Sequence, residues 1–473
     1  MERLGQFFAR VTRRILPDPM VIACGLTLFV VLIAMVFPYT PDLRAAGWLD
    51  RVPAVASMWL DGVWNPGFLK FALQMCVVLL TGYGLAKAPI ATRALHSLAR
   101  RVRTNRSAVF LVTAVSCVGC WINWGFGLIA AGVLACRLRT ELARRGVRCQ
   151  YALIVAGAYA GMMIWHGGLS GSAPLRMAKE GVRMTGATGA GASPIVVGIE
   201  RTTLSGANLA LSAVLVLGVP ILLRRMAARD PDVAESLPDD EPVTAAEPPG
   251  GRSSGGTLAD RINRSRVISI GLALLAAGAL LHQLASRGTA AINLNFVNTV
   301  FLTLGLLLHR NLPAYVSAVA DGGRAVTGIV LQFPLYSGIQ GVMAGAGIAA
   351  AMSQSFVEAS DWFATTLHVG PGVTLPVATF LSAGVVNLLV PSGGGQWIVQ
   401  GPIMCSAAAA LSVPLPTTVM ALSYGDQLTN MIQPFWAIPL MGLTGVNVRE
   451  FMGYCTLLML VATPVFIVAL LLF

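Results

Sequence analysis

The sequence predicts an all-α polytopic membrane protein with inverted repeats, comprising about nine transmembrane helices, two opposed re-entrant hairpins and broken helices at the midplane. Three observations lead there. Hydrophobic residues make up 55% of the 473 positions and charged residues 11%, with a mean hydropathy of +0.71, too little polar surface to coat a soluble globule. Two apolar stretches, 108–136 and 374–411, are too long for one crossing, which takes about 20 residues, and a polar knot interrupts each. Finally, arginines cluster between apolar runs, so the formal charge of +12 reports membrane topology and not a nucleic-acid partner.

Taken in chain order, Arg3, Arg10, Arg13 and Arg14 precede the apolar run 21–37 with no small-residue cleavage site after it, which predicts a retained anchor and a cytoplasmic N-terminus. An outer loop with Trp48, Trp59 and Trp64 at the interface completes residues 1–66. Residues 67–226 form the first repeat. Span 68–85 returns inward, and Lys87 to Arg106 reads as a basic amphipathic surface helix. Arginines flank 108–136 on both sides, so this stretch dips in and returns as a hairpin with its tip at 123–127. Spans 151–165 and 204–223 follow. Residues 227–264, rich in Asp, Glu, Pro, Gly and Ser, read as a flexible cytoplasmic linker. From 265 to 473 come spans 267–284 and 296–308, a kinked span 328–348 and a second surface helix, 349–368. The second hairpin, 374–411, then enters from the periplasmic side. Spans 417–440 and 451–473 leave the C-terminus periplasmic.

Each hairpin is followed by a helix with a tyrosine, Tyr159 in 158–161 and Tyr424 in 423–430, joined to a stretch that glycine or proline should unwind, 165–174 and 433–434. Broken helices aim N–H groups and positive dipole ends into the membrane centre, while free carbonyls at the opposite ends suit small cations. An anion and a cation fit together in such a place, as a cation-coupled carboxylate carrier requires. The alternative, a membrane-embedded enzyme acting on a lipid or acyl substrate, lacks a catalytic set: there is no H-E-x-x-H and no G-x-S-x-G. The spacing Cys117-Val118-Gly119-Cys120 occurs outside the βα context of a redox site.

The strings Trp121-Ile122-Asn123-Trp124-Gly125-Phe126-Gly127, Trp165-His166-Gly167-Gly168-Leu169-Ser170-Gly171-Ser172, Pro391-Ser392-Gly393-Gly394-Gly395-Gln396-Trp397 and Tyr424-Gly425-Asp426-Gln427 closely resemble the bacterial short-chain fatty acid transporter family, the AtoE-type carriers of acetoacetate and butyrate. The resemblance spans essentially the whole chain. It implies a multi-pass permease of the bacterial inner membrane for short-chain carboxylates. Through the similar, larger group of ion transporters it also implies a homodimer with a scaffold, a moving transport domain and elevator-like motion.

Candidate substrate-binding residues are Asn123, Gly125, Gly127, Ser170, Ser172, Asn387, Ser392, Gly393, Gly394, Thr429 and Asn430. The asparagine amides either meet ligand or cap half-helices; the hydroxyls either complete oxygen cages or bond a carbonyl one turn back; the glycines either admit a ligand or pack. Sodium as the coupling ion would be held by Asn123, Ser170, Asn387 and Thr429, and no other cofactor is expected. Asp426 is an acid within an apolar span, the mark of a cation or proton pathway, with a structural pairing as its competitor. His166 joins it as a candidate proton relay or a satisfied buried imidazole.

Overall fold

The computed structural model describes residues 1–183, 194–229, 257–291, 293–320 and 322–472, so most of the expected linker, 230–256, lies outside the described residues. Among the described residues, eight helices are long and apolar enough to cross a membrane, or nine if the pair Val326–Gly345 and Ile348–Leu367, bent by 61°, counts as one span.

The first hairpin has arms Asn105–Ile122 and Trp124–Arg144. It begins where Thr104 and Ser107 form a capping box and reverses at Asn123, whose extended backbone (φ −155°, ψ 122°) breaks the helix. The two ends meet again: Arg145 Nη1 donates to Arg100 O at 3.1 Å and Val102 O at 3.2 Å. Glycine permits the reversal to close. A Cβ on Gly127 would stand 2.1 Å from Cys120 N, so the arms touch backbone to backbone. The arms outrun the apolar stretch 108–136 because capped polar residues start the first, and Arg137 to Arg144 continue the second.

The second hairpin has arms Pro371–Leu389 and Gly393–Ala410, joined through 390–392. Buried amides tie the arms together, Gln396 Nε2 donating to Ala383 O at 2.9 Å and Gln400 Nε2 to Ser382 Oγ at 2.6 Å. Leu375 near its start packs with Ala408 and Val413 at its end, so this hairpin too opens on one face.

A broken helix leaves the base of each hairpin. Tyr151–Tyr159 starts beside Gln150, which Asn105 bonds at the base of the first hairpin, and passes into 3-10 turns Ala160–Met163 and Trp165–Gly167. Leu415–Thr429 leaves the second hairpin and loosens into the turns Asn430–Ile432 and Phe435–Ala437 before helix Ile438–Thr444. Gly393, at the tip of the second hairpin, lies against His166 of the first break. The second tip therefore meets the first break, bringing the broken elements of the two halves together, as the inverted-repeat plan requires.

Helices Pro19–Val36, Trp48–Val63, Pro66–Lys87, Leu294–Leu308 and Gly323–Gly345 pack chiefly on one another. Here one expectation is corrected. The stretch read as an outer loop is helical over Trp48–Val63 and packs through Gly62 on Gly338 and Gly341, where an added Cβ would come within 3.0 Å of both α-carbons. Small residues, weak in hydropathy, make that contact.

Candidate functional site

Two residues separated by 260 positions join the halves. His166 Nδ1 lies 2.8 Å from Asp426 Oδ1, with the two side chains 0% and 1% exposed. Ala173 N–H points at His166 Nε2 from 3.0 Å, so Nε2 accepts and the ring proton sits on Nδ1, facing the carboxylate. Gln427 Oε1 takes both His166 N–H and Gly167 N–H at 2.9 Å, which satisfies the donors freed by the first break. Trp165 stacks on the imidazole at 4.3 Å between centroids.

The tyrosines of the two broken helices cross over. Tyr159 OH lies within hydrogen-bonding reach of Asn430 O (2.8 Å) and Gln433 O (3.0 Å), carbonyls exposed by the second break. In return, Tyr424 OH donates to Asn208 Oδ1 at 3.0 Å, and Asn208 Nδ2 donates to Gly167 O at 2.8 Å at the first break. Each half thus caps the broken backbone of the other.

Around the second break, Asn387 Nδ2 reaches Asp426 O at 2.9 Å, Thr429 Oγ1 at 3.0 Å and Asn430 Oδ1 at 2.9 Å. Several buried polar atoms nearby have no partner: Asn387 Oδ1, Gln396 Oε1, Asp426 Oδ2, Asn430 Nδ2 and both ends of the Gln433 amide. Unsatisfied buried groups are costly, and a cluster of them is a reason to look for a ligand. Among the described residues no three His, Cys, Asp or Glu side chains gather as a transition-metal site would need. The oxygens just named are of the kind that holds a hard cation such as sodium.

The remaining candidates take identifiable positions. Asn123 Oδ1 accepts Phe126 N–H at 3.1 Å and caps the second arm of its hairpin; Ser392 Oγ does the same for Gly395 N–H at 3.1 Å. Ser170 Oγ accepts Trp124 N–H at 3.2 Å and locks the first break onto the first tip. Gly125 is buried in that tip, and Gly127 serves the close approach of its arms. Thr429 Oγ1 bonds Gly425 O one turn back at 3.2 Å. Ser172 and Arg176 border Gly394 at the second tip, while Gly393 rests on His166. Asp426, His166, Asn387, Thr429, Asn430 and Gly393 therefore come together; Asn123, Ser170 and Gly127 form a neighbouring group at the first tip. The sequence reading did not single out Gln427, Asn208, Tyr159 and Tyr424 as site residues. The tyrosines and Gln427 stood inside the noted motifs, and Asn208 is an amide within an apolar span, so each carried a signal.

An aromatic cluster borders the site. Trp124, Trp165 and Trp436 pack within 5.1 to 6.2 Å of one another, and Phe71 and Phe333 join them. The Nε1 atoms of Trp121 and Trp165 are buried donors without an acceptor.

Comparison with known proteins agrees along the whole chain. A family profile described as "Short chain fatty acid transporter" matches residues 1–473. The chain is 34% identical to a protein of Escherichia coli (strain K12) named "Putative short-chain fatty acid transporter", covering 100% of this chain and 99% of that one. It is also 34% identical to a Haemophilus influenzae protein of the same name, with 99% of each covered. Among solved structures it aligns with the Alcanivorax borkumensis YdaH transporter at 15% identity and a TM-score of 0.43, over 96% of this chain and 97% of that one. With full-length matches to the profile and to both relatives, the chain belongs to the short chain fatty acid transporter family.

Proposed function

We propose that this protein is a secondary active transporter importing short-chain fatty acids of the butyrate and acetoacetate class across the bacterial inner membrane, driven by a proton or sodium gradient. The observation that carries the reading is the buried Asp426–His166 pair, one member from each half. Asp426 Oδ1 receives the imidazole proton, and Oδ2 has no partner. An ionised carboxylate is expensive to hold away from water in that condition. A proton on Oδ2, or a sodium ion shared with Asn387 Oδ1, relieves the cost. The charge state of the pair is thereby tied to an ion drawn from one side of the membrane.

The substrate carboxylate then has a place beside the cation, at the tips and breaks. Gly393 and Gly394 supply the first N–H groups of their helix, which have no carbonyl four residues back within it. Ser170, Ser172, Thr429 and Asn430 lie around the same region. The short acyl tail has the rings of Trp124, Trp165 and Trp436 as its apolar wall, which suits a monocarboxylate better than a second charge. Phe71 and Phe333 belong to the helices Pro66–Lys87 and Gly323–Gly345, which pack on one another, so the site abuts that group of helices. On this reading the protein is a homodimer in which the repeats slide as an elevator against a fixed scaffold, and the arginine clusters put the N-terminus in the cytoplasm and the C-terminus in the periplasm.

The test is uptake of labelled butyrate and acetoacetate into proteoliposomes under imposed proton and sodium gradients. Gradient-dependent accumulation of either acid is the expected result. Failure to accumulate any monocarboxylate under both gradients would overturn the substrate assignment.

A further inference from the structure

The N-terminal helix Glu2–Ile15 lies apart from the transport chemistry and has two unlike faces. Its small residues face inward. Gly5 sits against the Tyr454 ring and Met226, and Ala9 meets Gly453 so closely that a Cβ there would stand 2.5 Å from the Ala9 backbone. The helix is thus seated on Val448–Leu472 and on the end of Gly206–Met226, both packed with the repeats. Its outer surface mixes Arg3, Arg10, Arg13 and Arg14, all exposed, with Leu4, Phe7 (52% exposed) and Ile15 (73%). Its one acid, Glu2, is turned toward Arg106 at 3.8 Å, and among the described residues none of the four arginines pairs with a carboxylate.

The place of this helix narrows what can cover that surface. It ends at Ile15, and the membrane span Pro19–Val36 begins four residues later, so the helix is held at the level of the lipid headgroups. A helix with cationic and large apolar side chains on one exposed face suits the boundary between anionic headgroups and acyl chains. Arginine, moreover, matches phosphate oxygens with a planar fork of donors. We infer that residues 2–15 form a binding surface for anionic phospholipid, with Arg10, Arg13 and Arg14 on the headgroup phosphates and Phe7 and Ile15 in the acyl region. Because the helix is seated on the repeat domain, the lipid is bound by the body that carries the Asp426–His166 pair. A leaflet rich in anionic lipid should then order the helix, and basic residues near such a surface contribute roughly fivefold each in affinity.

The test is hydrogen exchange of the full chain in nanodiscs of phosphatidylcholine alone and of phosphatidylcholine mixed with phosphatidylglycerol. Residues 2–15 should gain protection with phosphatidylglycerol while 448–460 stay unchanged. The triple variant Arg10→Gln, Arg13→Gln, Arg14→Gln should match wild type in phosphatidylcholine and lose the gain, and the corresponding triple lysine variant should keep most of it. Equal exchange in both lipids, or a gain that survives the glutamine changes, would overturn the inference. So would protection that ignores lipid and disappears when the acidic stretch 231–250 is deleted, since that result assigns the face to the chain's own acids. None of these readouts depends on transport, so they stand whichever acid the protein carries.

Discussion

The two broken helices leave different atoms unsatisfied. Near the first, the unpartnered buried side-chain atoms include the indole donors Trp121 Nε1 and Trp165 Nε1; around the second, four of six are oxygens, on Asn387, Gln396, Asp426 and Gln433. On the proposed function, the second break, richer in oxygens, is where the cation would sit, with the carboxylate beside it between the second tip and the first break. The backbones of the two breaks, by contrast, are treated alike: each half's tyrosine reaches toward the other's break, and Gln427 closes the first break with one oxygen.

The largest effect is expected at Gly425. A Cβ there would stand 2.0 Å from Phe380 O, a backbone atom of the second hairpin that cannot turn aside. Gly425→Ala should therefore prevent the second half from seating, at a cost of about 3 kcal/mol or more, read as loss of monodisperse protein or a lowered Tm in detergent. Gly206→Ala, with nothing within 4 Å of the new carbon, is the matched control and should change little. Next in size is Gln427→Ala, which strands the N–H groups of His166 and Gly167 in a buried break at about 1 to 3 kcal/mol each. Gln427→Met, which fills the space without a strong acceptor, should lose a similar amount of Tm. If both variants melt like wild type, the first break is not held from the second half.

Much of this arrangement was legible in the sequence, because a polar knot in an overlong apolar run has few solutions in a bilayer. Asn123 and 390–392 are where the hairpins reverse, and 165–167 and 430–437 are where the helices loosen. Hairpin ends were less legible, since hydropathy cannot see that Thr104 and Ser107 cap a helix or that Arg137 to Arg144 extend one. The helix Trp48–Val63 was hidden for a related reason: Gly62, Ser337, Gly338 and Gly341 pack by smallness, which no apolar pattern announces. Within the site, the pairing of Asp426 with His166 spans 260 positions and depends on both halves folding, so spacing alone could offer each residue only as a separate candidate.

Smaller changes sharpen the division between anion and cation. Trp165→Phe keeps a ring to stack on His166 and removes one buried N–H. If that donor meets the substrate carboxylate, KM for butyrate should rise by about 10- to 100-fold with little change in kcat, as expected for one hydrogen bond to a charged group. An unchanged KM would remove the indole from the anion side. The smallest effect is expected at Asn123, where Asn123→Ala loses a helix cap worth about 1 kcal/mol and Asn123→Ser retains it. A large transport defect in the serine variant, with stability kept, would show instead that the amide touches the ligand.

Whether the Asp426–His166 pair couples the ion is decided by Asp426→Asn in two assays on the same proteoliposomes: gradient-driven accumulation of labelled butyrate, and exchange of labelled for unlabelled butyrate with no gradient. Accumulation should fall by up to about 150-fold, the upper range of a coupling free energy, while exchange persists. Accumulation at the wild-type level under either gradient would contradict that role, because the ion would then be coupled somewhere other than the Asp426–His166 pair.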